Sequence, residues 1–185
     1  TSDSAIYIQN ADGTFTEVVR ATGSTAADSI DNLEGAVARL DAAGNAFFTA
    51  QRRVNQDNRG LYTNIGGFTR IARLGAAIAI SDGMGGTDFA EIVEFHDPLD
   101  FAVGRDGEVA FRARAQEIGF PNAERNAIFR WDNGAITEVF TEGDDVLGLP
   151  GGFSVDLDIA ENGVLGDGMQ LNGVGTLAFI AELGI

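Results

Sequence analysis

Gly107-Glu108-Val109-Ala110-Phe111-Arg112-Ala113 decides the fold, because the same heptad pattern is written twice more. It recurs as Gly44-Asn45-Ala46-Phe47-Phe48-Thr49-Ala50 and as Gly175-Thr176-Leu177-Ala178-Phe179-Ile180-Ala181, so the copies are spaced by 63 and 68 residues. In the middle copy Val109, Phe111 and Ala113 fall on one face, and Glu108, Arg112 and Arg114 on the other. That is the period of two expected of a β-strand, entered from a glycine turn. The preceding Leu99-Asp100-Phe101-Ala102-Val103 supplies a partner strand, and Arg105-Asp106-Gly107 a tight hairpin turn.

A second motif alternates with the first. It runs from Ala5 to Val19, from Gly60 to Ala72 and from Ala127 to Phe140, with a threonine at the same place in each copy: Thr16, Thr69 and Thr137. Each copy reads as a hairpin, turning at Asn10–Gly13, Ile65–Gly67 and Trp131–Gly134. One repeat is therefore two hairpins, or four antiparallel strands in about 60 residues, the period of propeller blades. The expected fold is all-β, with three four-stranded antiparallel repeats in a β-propeller-like arrangement; a β-sandwich of the same strands is the alternative. The chain divides as a single β-repeat domain over residues 1–185: a half-repeat 1–23, repeats 37–75 and 99–143, and a half-repeat 153–185. Residues 24–36, 76–98 and 144–153 read as variable loops that meet a partner. Within the first, Thr25–Leu40 is the best helix candidate and reads equally as a loop.

The phase of the repeat bears on assembly. The chain opens on the second hairpin of a repeat and finishes on the first. In a closed ring the strand near Leu177–Leu183 would pair with that near Ile6, removing two exposed edges. Three blades are fewer than the four to eight typical of propellers. The chain is therefore expected to be a homo-oligomer or part of a longer repeat array.

Composition sets the outer limits. Apolar residues make up 44% of the 185, including thirteen Phe, enough for a packed core. The twenty-five Gly against three Pro suit many tight turns. The net charge is −16 and all twelve basic residues are Arg. Such a chain repels phosphate backbones and anionic lipid, so neither nucleic acid nor a membrane surface is an expected partner. There is no Cys, which rules out disulfides and thiolate metal sites. No apolar run reaches the length of a membrane span.

The runs Gly104–Gln116 and Asn126–Ser154 resemble the tandem repeats of bacterial exported propeller-like proteins, often found with sorting anchors of the PEP-CTERM or choice-of-anchor type. Glu142-Gly143-Asp144 and Pro150-Gly151-Gly152 match the loop of that repeat. The Asp-Gly turn before the Ala-Phe pair is distantly similar to TolB-like propeller repeats. The resemblance covers most of the chain in three copies. The first repeat departs from it after Gly23, and the second from Ile80. It implies a secreted, cell-surface or matrix role and brings no catalytic residue with it.

Candidate chemistry is sparse. Ser81–Asp88 is a glycine-rich loop with carboxylates at Asp82 and Asp88, and Asp144 and Asp145 form a similar pair. These four are the calcium candidates, since Ca²⁺ takes six to eight oxygen ligands. The plainer reading of each is a solvated surface loop, and no other cofactor is expected. Asp156 and Asp158 alternate with apolar residues on a strand face. His96 is the only His, so a zinc or copper site is not expected. Trp131 is the ligand-binding candidate, an aromatic that stacks on a sugar or packs between blades. No residue is assigned as catalytic. The expectation is a non-enzymatic extracellular structural or interaction module, self-assembling through β-edges and meeting a glycan or matrix partner. The alternatives are a lectin-like propeller and a hydrolase using paired carboxylates.

Overall fold

The computed structural model describes residues 4–21, 30, 32–33, 36–51, 59–81, 87–95, 101–119, 123–143, 154–156, 169–172, 176–179 and 182–184. Among them every regular element is a β-strand, as the alternation of apolar residues predicts. The chain forms two compact units, Thr1–Leu74 and Gly75–Ile185.

The first unit holds β1 (Ala5–Gln9), β2 (Phe15–Arg20), β3 (Ala38–Leu40), β4 (Ala46–Gln51), β5 (Arg59–Thr63) and β6 (Thr69–Arg73). β1 and β2 make a two-stranded sheet, and β3-β4-β5-β6 a four-stranded meander. The second unit holds β7 (Ala77–Ser81), β8 (Thr87–Phe95), β9 (Phe101–Val103), β10 (Val109–Glu117), β11 (Glu124–Asp132), β12 (Ala135–Thr141), β13 (Ser154–Asp156), β14 (Met169–Leu171), β15 (Leu177–Phe179) and β16 (Glu182–Gly184). Its main sheet runs β12-β11-β10-β8-β7, with β9 beside the first half of β10. This sheet curls until β12 and β7, the ends of the path, approach within 8 Å between Cα atoms. β14 pairs with β15 and β13 with β16. The described ladders give β1 only β2 as a neighbour and β15 only β14, so the pairing of Leu177–Leu183 with the strand near Ile6 is not among them.

The three heptads form hairpins of one register. Phe48, Phe111 and Phe179 stand opposite Ala38, Phe101 and Met169; Ala46, Val109 and Leu177 stand opposite Leu40, Val103 and Leu171. Five residues join the strands each time. In two of these loops, and in the loop from β1 to β2, the fourth residue is a glycine at positive φ: Gly44 at 83°, Gly107 at 87° and Gly13 at 83°. Its amide donates back to the first loop residue, in the manner of a type I turn closed by a left-handed residue. The first loop residue also brings a side chain. Asp41 accepts from the amides of Ala43 and Asn45 at 2.9 and 2.8 Å, and Asn172 from that of Thr176 at 2.8 Å. Gly104 breaks the series because a Cβ there would lie 3.1 Å from Leu171 Cδ2 and 3.2 Å from Glu108 Oε2.

The second motif is equally regular. Ile6–Tyr7, Leu61–Tyr62 and Ile128–Phe129 each flank a β-bulge, and the extra residue on the partner strand is Val18, Ile71 or Val139. Where β4 meets β5, Phe48 pairs with Tyr62; where β10 meets β11, Phe111 pairs with Phe129.

The cores follow one packing rule. In each sheet used here one face carries the heptad Phe or the residues that align beside it, such as Tyr7 on β1, and is called the Phe face; the other is the reverse face. In the first unit the reverse face of β1–β2, through Ile6, Ile8 and Val19, packs on the Phe face of the meander at Ala46, Phe48, Ala50 and Tyr62. In the second unit the reverse face of the main sheet, through Ala102, Ala110, Ile128 and Phe140, packs on the Phe face of the next hairpin at Met169, Leu171 and Leu177. Phe111, Phe129, Val109 and Ala113 are themselves fully buried.

Two expectations are corrected. Of the helix candidate Thr25–Leu40, Ala38–Leu40 is β3, and Asn32 forms an isolated bridge with Gln51. Pairing along β4 satisfies backbone groups that a surface helix would have to satisfy alone. Residues 76–98 are not a plain loop. Ala77–Ser81 and Thr87–Phe95 form the β7–β8 hairpin, which buries Ile78, Ala90, Ile92 and Phe95. That hairpin occupies the second half of β10, with Ala113 opposite Phe95 and Arg114 opposite Glu94. The bridge of Asn32 to Gln51 and the pairing of Asp156 with Glu182 sit at the same repeat position.

Candidate functional site

The surface that stands out lies on the Phe face of β1–β2. Tyr7 there occupies the position of Tyr62 and Phe129. Those rings are 1% and 0% exposed, whereas Tyr7 is 48% exposed. Phe15 occupies the position of Phe68, which is itself 45% exposed, and is 66% exposed, so Tyr7 carries the contrast. In the meander the full set is an aromatic cluster: Tyr62 and Phe68 stack with centroids 5.0 Å apart, and Phe48 lies 6.0 Å from Tyr62 and 6.2 Å from Phe68. On β1–β2 the tyrosine and phenylalanine positions are filled. Among the described residues no strand brings the heptad Phe to that sheet.

Polar groups fix this face. Tyr7 Oη donates to Glu17 Oε2 at 3.0 Å and accepts from Arg20 Nη2 at 2.7 Å. Arg20 Nε donates to Glu17 Oε1 at 3.3 Å, and its Nη2 forms an ion pair with Glu17 Oε2. The Arg20 bond first, and then that from Tyr7, hold the Glu17 carboxyl below the usual range; the same contact raises Arg20. At the turn, the Thr14 hydroxyl and then its amide lower Asp12. These groups are solvent-exposed, so their worth is orientation of the rings more than stability.

The main sheet of the second unit carries a charge network on its reverse face. Arg114 bridges Glu94 and, at 3.3 Å, Glu124; Arg130 pairs with Glu108; Asn126 Nδ2 donates to Glu142 at 2.8 Å. On the Phe face Arg125 lies 3.8 Å from Glu117 and 3.3 Å from Glu138. Each of these three arginines thus has a carboxylate partner, and the carboxylates outnumber them.

The residues singled out from sequence fall elsewhere. Asp82, Asp144 and Asp145 lie outside the described residues, as do His96 and Asp158. Asp88 is in β8 opposite Ile80. Among the described residues no three His, Asp or Glu gather as a metal-holding group. Trp131 belongs to β11, opposite Val109 and Ile136, and is 6% exposed. The hairpin turns beyond it, at Asn133 and Gly134, both at positive φ, the two-residue Asn-Gly turn. As packed, its indole offers a sugar little surface. Sequence reasoning passed over Tyr7 and Phe15. The signal was present, since the repeat aligns Tyr7 with Tyr62 and Phe15 with Phe68.

The sequence profile of one family matches residues 1–184. The chain belongs to DUF7453, a family of unknown function. The match spans both units of this DUF7453 protein, so the exposed face of β1–β2 and the heptad hairpin of β14–β15 lie within one family domain. No curated protein and no solved structure is significantly similar to it.

Proposed function

We propose that this DUF7453 chain is a non-enzymatic interaction module working outside the cytoplasm, built of three four-strand repeats in a β-propeller-like array. Its function is to display and join rigid sheets, not to turn over a substrate. The observation that supports this best is the packing rule: a reverse face lies on the next Phe face in both units. A contact between two unlike faces is heterologous and repeats in one direction, which is the logic of rings and arrays. The shared register and bulge of the hairpins support the same reading. The extracellular site rests on the resemblance of Gly104–Gln116 and Asn126–Ser154 to exported propeller-like proteins.

The test is protease shaving of intact cells that make the protein, run beside a panel of chromogenic glycosides and esters. The reading expects the chain to be cleaved from the cell surface or found in the medium, and no substrate to be turned over. Full protection inside intact cells, or sustained turnover by the purified chain, overturns it.

A further inference from the structure

We infer that the free edge of β1 is a docking site for β15 of a second copy of this chain, forming a composite four-stranded sheet. The inference rests on the repeat reading above and adds a specific partner and register to it.

Three observations carry it. First, β5 and β11 each have a heptad strand on one side and a bulged strand on the other, whereas β1 has only its bulged partner β2 among the described ladders. Second, the aromatic pair on this hairpin is ready for a third ring. Tyr7 and Phe15 are exposed where Tyr62 and Phe68 are joined by Phe48. Third, the chain contains the missing strand in surplus. β15 carries Phe179 at the register position of Phe48 and Phe111, and among the described residues its sheet holds β14 but no strand on the other side. The two incomplete sheets are complementary halves of one four-stranded sheet.

The register follows from the two complete sheets. Phe48 faces Tyr62 and Phe47 faces Thr63; Phe111 faces Phe129 and Ala110 faces Arg130. In the joint, Phe179 of one copy therefore faces Tyr7 of the other, Ala178 faces Ile8, and Leu177 faces Gln9. Two copies joined at both seams bring six of these repeats together, within the four to eight typical of closed rings, and pairing within one chain is the competing outcome that the double variant below tests. Charge sets no strong barrier at the seam, since β15 has no ionisable side chain and Glu17 is already paired with Arg20.

The absence of native cysteine makes the test clean. Two single variants, Ile8→Cys and Ala178→Cys, one carrying a mass tag, are mixed and oxidised. Residues directly opposite in a ladder lie within disulfide reach, whereas neighbours one position along point to the other face. The matched pair is expected to cross-link roughly tenfold faster than the control pair Gln9→Cys with Ala178→Cys. Light scattering of the native chain is expected to give a dimer or larger species, dissociated by Phe179→Asp or Tyr7→Asp and retained by Phe179→Tyr. A monomer at every concentration overturns the proposal. So does an intramolecular bridge in the Ile8→Cys, Ala178→Cys double variant, or equal cross-linking of the matched and control pairs. Self-association without the matched cross-link refutes this seam and leaves the module reading standing, because that reading is decided by surface location and turnover.

Discussion

Truncating Phe111 to Ala tests the packing on which the second unit depends. Phe111 has no solvent exposure and stands between Phe101 and Phe129 in neighbouring strands. Its ring lies 5.6 Å from that of Phe129 and 6.3 Å from that of Phe95. Removing a buried Phe costs about 3–5 kcal/mol, because the transfer energy of the ring is lost and a cavity remains. Lost aromatic contacts, worth about 0.5–1.5 kcal/mol each, place this site toward the top of that range. The whole stability of a domain is about 5–15 kcal/mol, so the variant should fold with a small reserve. Trp131 is the only Trp and lies on the same sheet, opposite Val109, so its fluorescence reads this sheet directly. With a slope of about 2 kcal/mol per molar urea, the midpoint should fall by about 2 M. Val139→Ala, at a bulge residue 46% exposed, is the control and should change stability by less than about 0.5 kcal/mol. If Phe111→Ala moves the midpoint no further than Val139→Ala, the buried aromatic layer does not hold this unit together.

Gly60→Ala should destabilise the first unit by about 1–3 kcal/mol in urea unfolding followed by circular dichroism, the usual cost of overpacking. A Cβ there would lie 2.8 Å from Tyr62 Oη and 2.9 Å from the carbonyl oxygen of Ala72, and a backbone atom cannot swing away. Gly107→Ala should cost about 1 kcal/mol by the same assay, since a side chain is strained at φ 87° although space is open elsewhere at such turns. Acid should loosen the β1–β2 hairpin. Glu17 and Asp12 both have lowered pKa values when folded, so their contribution is complete above the unfolded carboxylate range and is lost as pH falls through the folded values. Amide NMR signals of Val18 and Val19 followed down in pH should show this, and Glu17→Gln should flatten the response; an unchanged profile in the variant refutes the assignment.

The hairpins were legible because their determinants are local. Gly107 follows Arg105-Asp106, and Val109, Phe111 and Ala113 alternate, so turn and register are written within a dozen residues. The pairing of β8 with the second half of β10 was not legible. Asp88–Phe95 breaks strict alternation, with Val93 left over where the pairing with β10 shifts register, and only tertiary packing decides that Phe95 lies against Ala113. The bulge at Val18, Ile71 and Val139 escaped for a related reason, since one extra residue shows only against its partner strand. Trp131 was placed in a turn because Asp132-Asn133-Gly134 is a strong turn signal; the turn needs only Asn133 and Gly134, which returns Trp131 to the strand. Tyr7 was overlooked because exposure belongs to the assembled sheet, and a tyrosine that aligns with buried rings gives no local sign of being uncovered.

The recurrent bulge gives the hairpins a polarity. Val18, Ile71 and Val139 all lie on the last strand of their hairpins, where an unpaired residue bends the backbone and interrupts the row of donors and acceptors along the outer rim. That rim is a poor template for another strand, while the opposite rim of β1 has no extra residue of its own. With β15 of a second copy docked on β1 as inferred above, a sheet blunted on one side would accept neighbours from a single direction. Such a joint would build ordered structure without spreading into the indiscriminate edge-to-edge stacking that two open rims invite.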